Sequence, residues 1–168
     1  MRSIRRLLKL RSADWRLLAI AWIRLCIVGL ALRWFTFRSV IGRIARVEAG
    51  EVQAEDTARA RRYNRWIETA ARYQPVRTLC LARSLALHWW LCDEGLPSEL
   101  IIGVASGAHG FGAHAWVELG EDLLNGTTAD IAPFTRLVTV GGEHSWSHYE
   151  FDDRSSRLQL DTVNGRGQ

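Results

Sequence analysis

Two residues in this chain are of types that together carry out acyl transfer. Cys80 lies in Thr78-Leu79-Cys80-Leu81-Ala82-Arg83-Ser84, and His114 in Ala113-His114-Ala115-Trp116-Val117-Glu118. A cysteine attacks a carbonyl as its thiolate, and a nearby imidazole takes the thiol proton and later protonates the leaving amine. Thr78 is a good N-cap, which places Cys80 two residues on, inside the first turn of a helix. Unpaired N–H groups and the positive end of the helix dipole converge there and favour an anion such as a thiolate. Arg77 adds positive charge close by. Each residue alone has a plainer reading, the cysteine as a small buried hydrophobe and the histidine as a hydrogen-bonded strand residue. A cysteine at a helix N-terminus facing a histidine on an adjacent strand is the arrangement of thiol acyl transfer.

A helix and a sheet must hold this pair. Residues 78–95 are apolar on almost every side up to Trp90, so they predict a central buried helix stopped by Gly95. Upstream, residues 51–73 form a charged, alanine-rich helical stretch, with Val52, Ala58, Tyr63, Trp66 and Ala70 as inward positions, broken at Pro75. After Pro97 the pattern turns to strands. Residues 100–105 and 113–119 read as strands on either side of a glycine-rich loop at 106–112. A turn at Gly120-Glu121-Asp122 leads to a third strand starting at 123–125, and residues 137–140 and 147–151 read as short further strands. Residues 164–168 read as a frayed tail. Helices first and an antiparallel sheet after predict an α+β fold, with N-terminal helices followed by a central helix packed on the sheet.

Residues 15–37 are apolar and long enough for a membrane span of ~20 residues. Arg16, Arg24 and Arg33 interrupt them, with Arg24 in the middle, where burial in lipid is costly. Leu17, Ile20, Ala21, Leu25, Val28 and Leu32 lie near one helical stripe and Arg24 falls off it. The first expectation is therefore an amphipathic helix packed on the domain. The second is a helix lying at a membrane interface through residues 15–37. Residues 1–10 are basic, but no small-residue cleavage site follows them, which argues against a signal peptide.

The chain has 168 residues, 48% of them hydrophobic, enough for one folded unit. Within it, residues 1–50 form an arginine-punctuated helical part and residues 51–168 the catalytic core. The net charge is +4 and Lys9 is the only lysine. No stripe of arginines and aromatics resembles a nucleic-acid surface, so nucleic acid is not an expected partner. Cys26, Cys80 and Cys92 are an odd set at no metal-ligand spacing, which suits reduced thiols in a cytoplasm. His144 and His148 are four residues apart on a candidate strand, too far apart to share a metal, and no third ligand is evident. No metal is expected.

The run Cys80-Leu81-Ala82-Arg83-Ser84-Leu85-Ala86-Leu87, followed by Ala113–Glu118, a turn and Phe134-Thr135-Arg136-Leu137, resembles the B2 proteins of lasso-peptide maturation. These are transglutaminase-like leader peptidases. The resemblance covers residues 75–137 well and the N-terminal part more loosely. It implies a papain/transglutaminase-like core and a cysteine peptidase, without a cofactor, that cuts a precursor peptide at its leader–core junction. It also implies partners: the precursor, a separate winged-helix-like leader-recognition protein, and an ATP-dependent, asparagine-synthetase-like cyclase. Residues 1–50 are too short and wrongly patterned for the recognition element, so a stand-alone peptidase is expected.

The family commonly carries an aspartate at the end of a V-N-D-like segment, where this chain reads Leu124-Asn125-Gly126. A two-residue turn at Gly120-Glu121 would pair Leu119 with Asp122 and Trp116 with Asn125, setting Asn125 diagonal to His114 on one face. A turn one residue longer would flip it. An amide also holds a histidine tautomer in Cys-His-Asn enzymes, so Asn125 is the first candidate for orienting His114 and Asp130 the second. Gln74, six residues before Cys80, is a candidate oxyanion donor, or equally a cap of the preceding helix. Trp89 and Trp116 are candidate walls of a peptide groove, and Trp90 is core. Cys92 sits in the last helical turn, where the dipole disfavours a thiolate, and like Cys26 is read as packing. Two other functions keep their place beside the peptidase: a transglutaminase-type acyl transferase or amidase, and a non-catalytic, membrane-associated scaffold.

Overall fold

The structure is a computed structural model that describes residues 12–44, 47–48, 50–74, 79–107 and 110–141. The expectations for residues 1–10, Arg77, Thr78, His144, His148, 147–151 and 164–168 lie outside these. The elements run α1 (Ser12–Trp34), α2 (Phe37–Ile41), α3 (Ala54–Arg72), α4 (Cys80–Asp93), β1 (Ser98–Gly107), β2 (Gly110–Leu119), β3 (Asp122–Leu123), α5 (Thr128–Ile131) and β4 (Thr135–Val140). The four strands form one antiparallel sheet in the order β3-β2-β1-β4. The fold is α+β, as the order of elements in the chain predicts.

α4 is the hub. Ala82, Leu85, Ala86, Leu87, Trp90 and Leu91 are all buried, and α1, α3 and the sheet pack around them. Its N-cap is Leu79 in extended conformation, so Cys80 is the first helical residue and not the second. At the other end, Leu96 N–H donates to the Leu91 carbonyl at 2.9 Å and Gly95 N–H to that of Cys92 at 3.0 Å. Gly95 adopts φ +73, so it closes the helix in the way its position predicts.

The expected glycine loop at 106–112 is largely strand. β1 and β2 remain paired from Ser98↔Leu119 out to Gly107↔Gly110, because a ladder needs only backbone N–H and C=O groups, which glycines keep. The third strand is shorter than expected and holds Asp122 and Leu123 alone, after a two-residue turn with Gly120 at φ +58. Residues 128–131, to which the sequence reading assigns no element, form α5. Thr127 caps it, and Asp130, three residues on, reaches back to the Thr127 N–H. That is a capping box with aspartate in place of glutamate.

α1 buries Leu18, Ala21, Leu25 and Val28, with Leu17, Ile20 and Leu32 packed partly against the core. Arg24 departs from the expectation that it falls off this stripe. Its Nη2 donates to Asp93 Oδ2 at 2.8 Å, and its guanidinium lies 4.5 Å from the Trp89 ring centroid and 5.6 Å from that of Trp90. On α3, Ala60, Ile67 and Ala70 are buried and Tyr63 stacks on Trp90 at 4.5 Å. Ala58, expected inward, is exposed. It lies two residues from Ala60, which is ~200° around the helix.

His88, on the buried side of α4, has Nδ1 2.9 Å from Ser98 Oγ. Burial pushes its pKa down to about 4. An unfolded histidine titrates near 6.5, so between these values the unfolded chain binds a proton that the folded one refuses. Stability should therefore fall as pH drops from about 6.5 toward 4, by on the order of 2 kcal/mol between pH 7 and pH 5. Urea unfolding at the two pH values checks this. His88→Asn, which keeps a partner for Ser98, should lose that part of the pH dependence. An equal slope in both proteins would refute the assignment.

Candidate active site

A cleft of about 450 Å³ lies where the start of α4 meets β2 and the segment after β3. Cys80 comes from α4, His114 and Ala115 from β2, Asn125 and Gly126 from the bend after β3, and Asp130 from α5. Phe134, Glu68 and Arg83 complete the wall. Cys80 and His114, 34 positions apart in the chain, thus share one cavity.

Cys80 is half-buried and lines the cleft, so it is reachable from it. As the first residue of α4 it stands among N–H groups that have no intrahelical acceptor, since the first carbonyl bond runs from Arg83 N–H to Leu79 at 3.2 Å. His114 pairs with Gly103 of β1, and its ring lies 5.5 Å from Phe134 and 6.2 Å from Trp116. Gly103 is required there. A Cβ on it would come within 2.7 Å of the Trp116 ring and 3.0 Å of Phe134 Cβ.

One turn along α4 from Cys80, Ser84 is fully buried. Its hydroxyl donates to the Ala115 carbonyl at 2.8 Å and accepts from Asn125 Nδ2 at 2.8 Å. Asn125 Oδ1 accepts the Val117 N–H at 2.7 Å. The Leu124 N–H still donates to the Val117 carbonyl at 2.9 Å, but the Leu124 carbonyl has turned to accept from Asn64 Nδ2 at 2.7 Å. The Asn125 side chain thus replaces the strand carbonyl that would have met Val117. The expected Trp116–Asn125 pairing does not form, because the ladder ends at Glu118↔Leu123 and Gly126, at φ +102, turns the chain away. The Asn125 amide is engaged at both ends by Val117 and Ser84.

Asp130 presents a carboxylate to the same cleft. Hydrogen bonds from the Thr127 hydroxyl, at 2.7 Å, and the Thr127 N–H, at 2.8 Å, hold its pKa below the usual carboxylate range, and the charge of His114 adds to this. An ionised carboxylate on the histidine side of a cleft is suited to orient an imidazole.

Three other candidates lie elsewhere. Gln74 donates to Cys26 Sγ at 3.5 Å and is not among the residues lining the cleft. Trp89 lies under the Arg24 guanidinium, where α1 meets α4. Trp116 is buried, and its indole N–H donates to Glu118 Oε1 at 2.9 Å, so it supports the sheet near His114 and does not line the groove. Of the other cysteines, Cys92 is buried beside His88, and burial pushes its thiol up to about 11. Burial raises the Cys26 thiol too. Neither favours a thiolate.

Ser84, Glu68, Arg83 and Phe134 carry no role in the sequence reading. Ser84 was accessible to it, since a residue four positions after Cys80 shares its helix face. Arg83 and Phe134 stand inside the quoted motifs, without a signal of their own. Glu68 has none, and only the fold brings its carboxylate to 3.2 Å from Arg83 Nη1.

A family profile described as the transglutaminase-like superfamily matches residues 22–139. The chain belongs to that superfamily. Its members are in general cysteine-dependent enzymes of peptidase or acyltransferase type, and the observed fold is consistent with a papain-like core. No curated protein and no solved structure matches the chain.

The Asn125 bracket yields a prediction. Asn125→Ala leaves the buried Val117 N–H without its acceptor and Ser84 with one bond fewer, and should cost about 2 kcal/mol in urea unfolding. An unchanged midpoint would mean that the bracket contributes nothing to stability.

Proposed function

We propose that this chain is a cysteine peptidase that removes the leader from a ribosomally synthesised lasso-peptide precursor before macrolactam cyclisation. The observation that carries the reading is the cleft shared by Cys80, on the first turn of a buried helix, and His114, with Asp130 also lining it. The motif resemblance over residues 75–137 supports the choice of substrate.

In this reading His114 takes the Cys80 proton, and the thiolate attacks the carbonyl of the leader–core junction. The tetrahedral oxyanion meets N–H groups at the start of α4. His114 then protonates the leaving amine, which frees the core peptide, and water hydrolyses the leader thioester to regenerate the thiol. Asp130 orients His114 in place of Asn125, whose amide is committed to the scaffold. The precursor reaches the cleft through a separate leader-recognition protein, and the cyclase acts on the freed amine.

Incubation with a precursor peptide followed by mass spectrometry tests the reading. Hydrolysis gives two fragments whose masses sum to precursor plus water, whereas acyl transfer gives an adduct. Cys80→Ala should lower the rate by roughly a thousandfold or more. Processing that persists undiminished in this variant would sink the peptidase reading in favour of a scaffold.

A positioning role for Asp130 predicts that Asp130→Asn lowers kcat roughly tenfold or more with little change in KM. A change confined to KM would instead assign Asp130 to substrate binding.

A further inference from the structure

α1 is apolar on two sides, and the described residues cover only one of them. Opposite the buried Leu18, Ala21, Leu25 and Val28, the side chains of Ile23, Ile27, Leu30 and Trp34 form a second stripe, 52%, 48%, 61% and 73% exposed. Trp15 and Trp22 are exposed on its flank, and Phe35 just beyond the end of the helix. Residues 14–34 are long and apolar enough to cross a membrane by length and composition. A contiguous exposed apolar face of this extent marks an interaction surface.

The structure removes the main objection to lipid as what covers it. Arg24 is the only charged residue between Arg16 and Arg33. It is drawn inward to Asp93 and lies on the faces of Trp89 and Trp90, so the outward stripe carries no charge along that length. Arg16 and Arg33 are exposed at either end. Charge points the same way. Residues 1–44 carry ten Lys/Arg against Asp14 alone, a net +9, whereas residues 45–168 carry 12 Lys/Arg against 17 Asp/Glu, a net −5. The whole positive excess of the chain thus sits on the segment that bears the exposed apolar helix.

We propose that α1 docks the protein on an anionic lipid surface, lying in the plane of the interface. Its inner face is part of the core shared with α3 and α4, so it does not cross the bilayer alone. The outer aromatics suit the headgroup boundary, and the arginines suit anionic headgroups. A second copy of the chain is a poorer occupant, since a symmetric pair would bring two segments of net +9 together. The proposal is independent of the chemistry in the cleft.

Vesicle flotation of the full chain tests it, using phosphatidylcholine with roughly 30 mol% phosphatidylglycerol against pure phosphatidylcholine. The protein should float with the anionic vesicles and bind the neutral ones about tenfold more weakly or less, with added salt weakening the anionic binding. The double variant Ile27→Glu/Leu30→Glu changes only exposed positions. It should keep the wild-type unfolding midpoint and bind anionic vesicles about tenfold more weakly or less. Protein that stays unbound, binds both vesicle types equally, or binds undiminished in the variant would overturn the proposal. So would a concentration-dependent dimer that the variant dissolves, since a second copy would then occupy the face.

Discussion

Between the second turn of α4 and the middle of β2, one buried hydroxyl joins two elements that the chain separates. Ser84 donates to the Ala115 carbonyl and accepts from Asn125, and Asn125 in turn takes the Val117 N–H. Each of these groups would be costly to bury alone, so the helix and strand have one satisfied relative position. Cys80 lies one turn before Ser84 and His114 one residue before Ala115. The bracket that satisfies buried polar groups therefore also sets where thiol and imidazole stand.

The bracket depends on a sheet that stops early. If β3 continued, its backbone would bond Val117, and Asn125 would take its place on a strand face. Gly126 bends the chain instead, and Asn64 on α3 captures the Leu124 carbonyl. The bend leads into α5, whose capping box turns Asp130 into a well-solvated anion on the cleft wall. A carboxylate from this short helix thus lines the cleft, while the position after Asn125 is a glycine.

A similar exchange happens at α1. Its central arginine is not placed by helical periodicity alone. Asp93 and the faces of two tryptophans draw it to the core side, although two of its guanidinium nitrogens find no hydrogen-bond acceptor among the described residues. Stacking on indole rings is a favourable setting for a guanidinium, which is weakly hydrated compared with an ammonium. The consequence is a helix whose polar interruption faces inward and whose apolar surface faces out.

Local patterns carried much of this in the sequence. A run apolar all round between a helix start and Gly95 foretold the buried α4, short strand-like runs bounded by glycines and a turn after Pro97 foretold the antiparallel strands, and Cys80 and His114 stood out because a helix start and a strand are local features. The box Thr127-Thr128-Ala129-Asp130 was legible too, though it reads as loop when only apolar periodicity is followed. The fates of Asn125, Gln74, Trp89 and Arg24 were not legible, because each was decided by a partner distant in the chain. For Asn125 that partner is Ser84, for Gln74 it is Cys26, and for Arg24 it is Asp93, with Trp89 beneath the guanidinium. The sequence by itself determined the α+β elements and the cysteine–histidine pair, since helix starts, short strand runs and the turns that bound them are written in neighbouring residues. Tertiary structure alone decided which polar side chains face the cleft, because a buried donor or acceptor takes whatever partner the packed fold brings within reach.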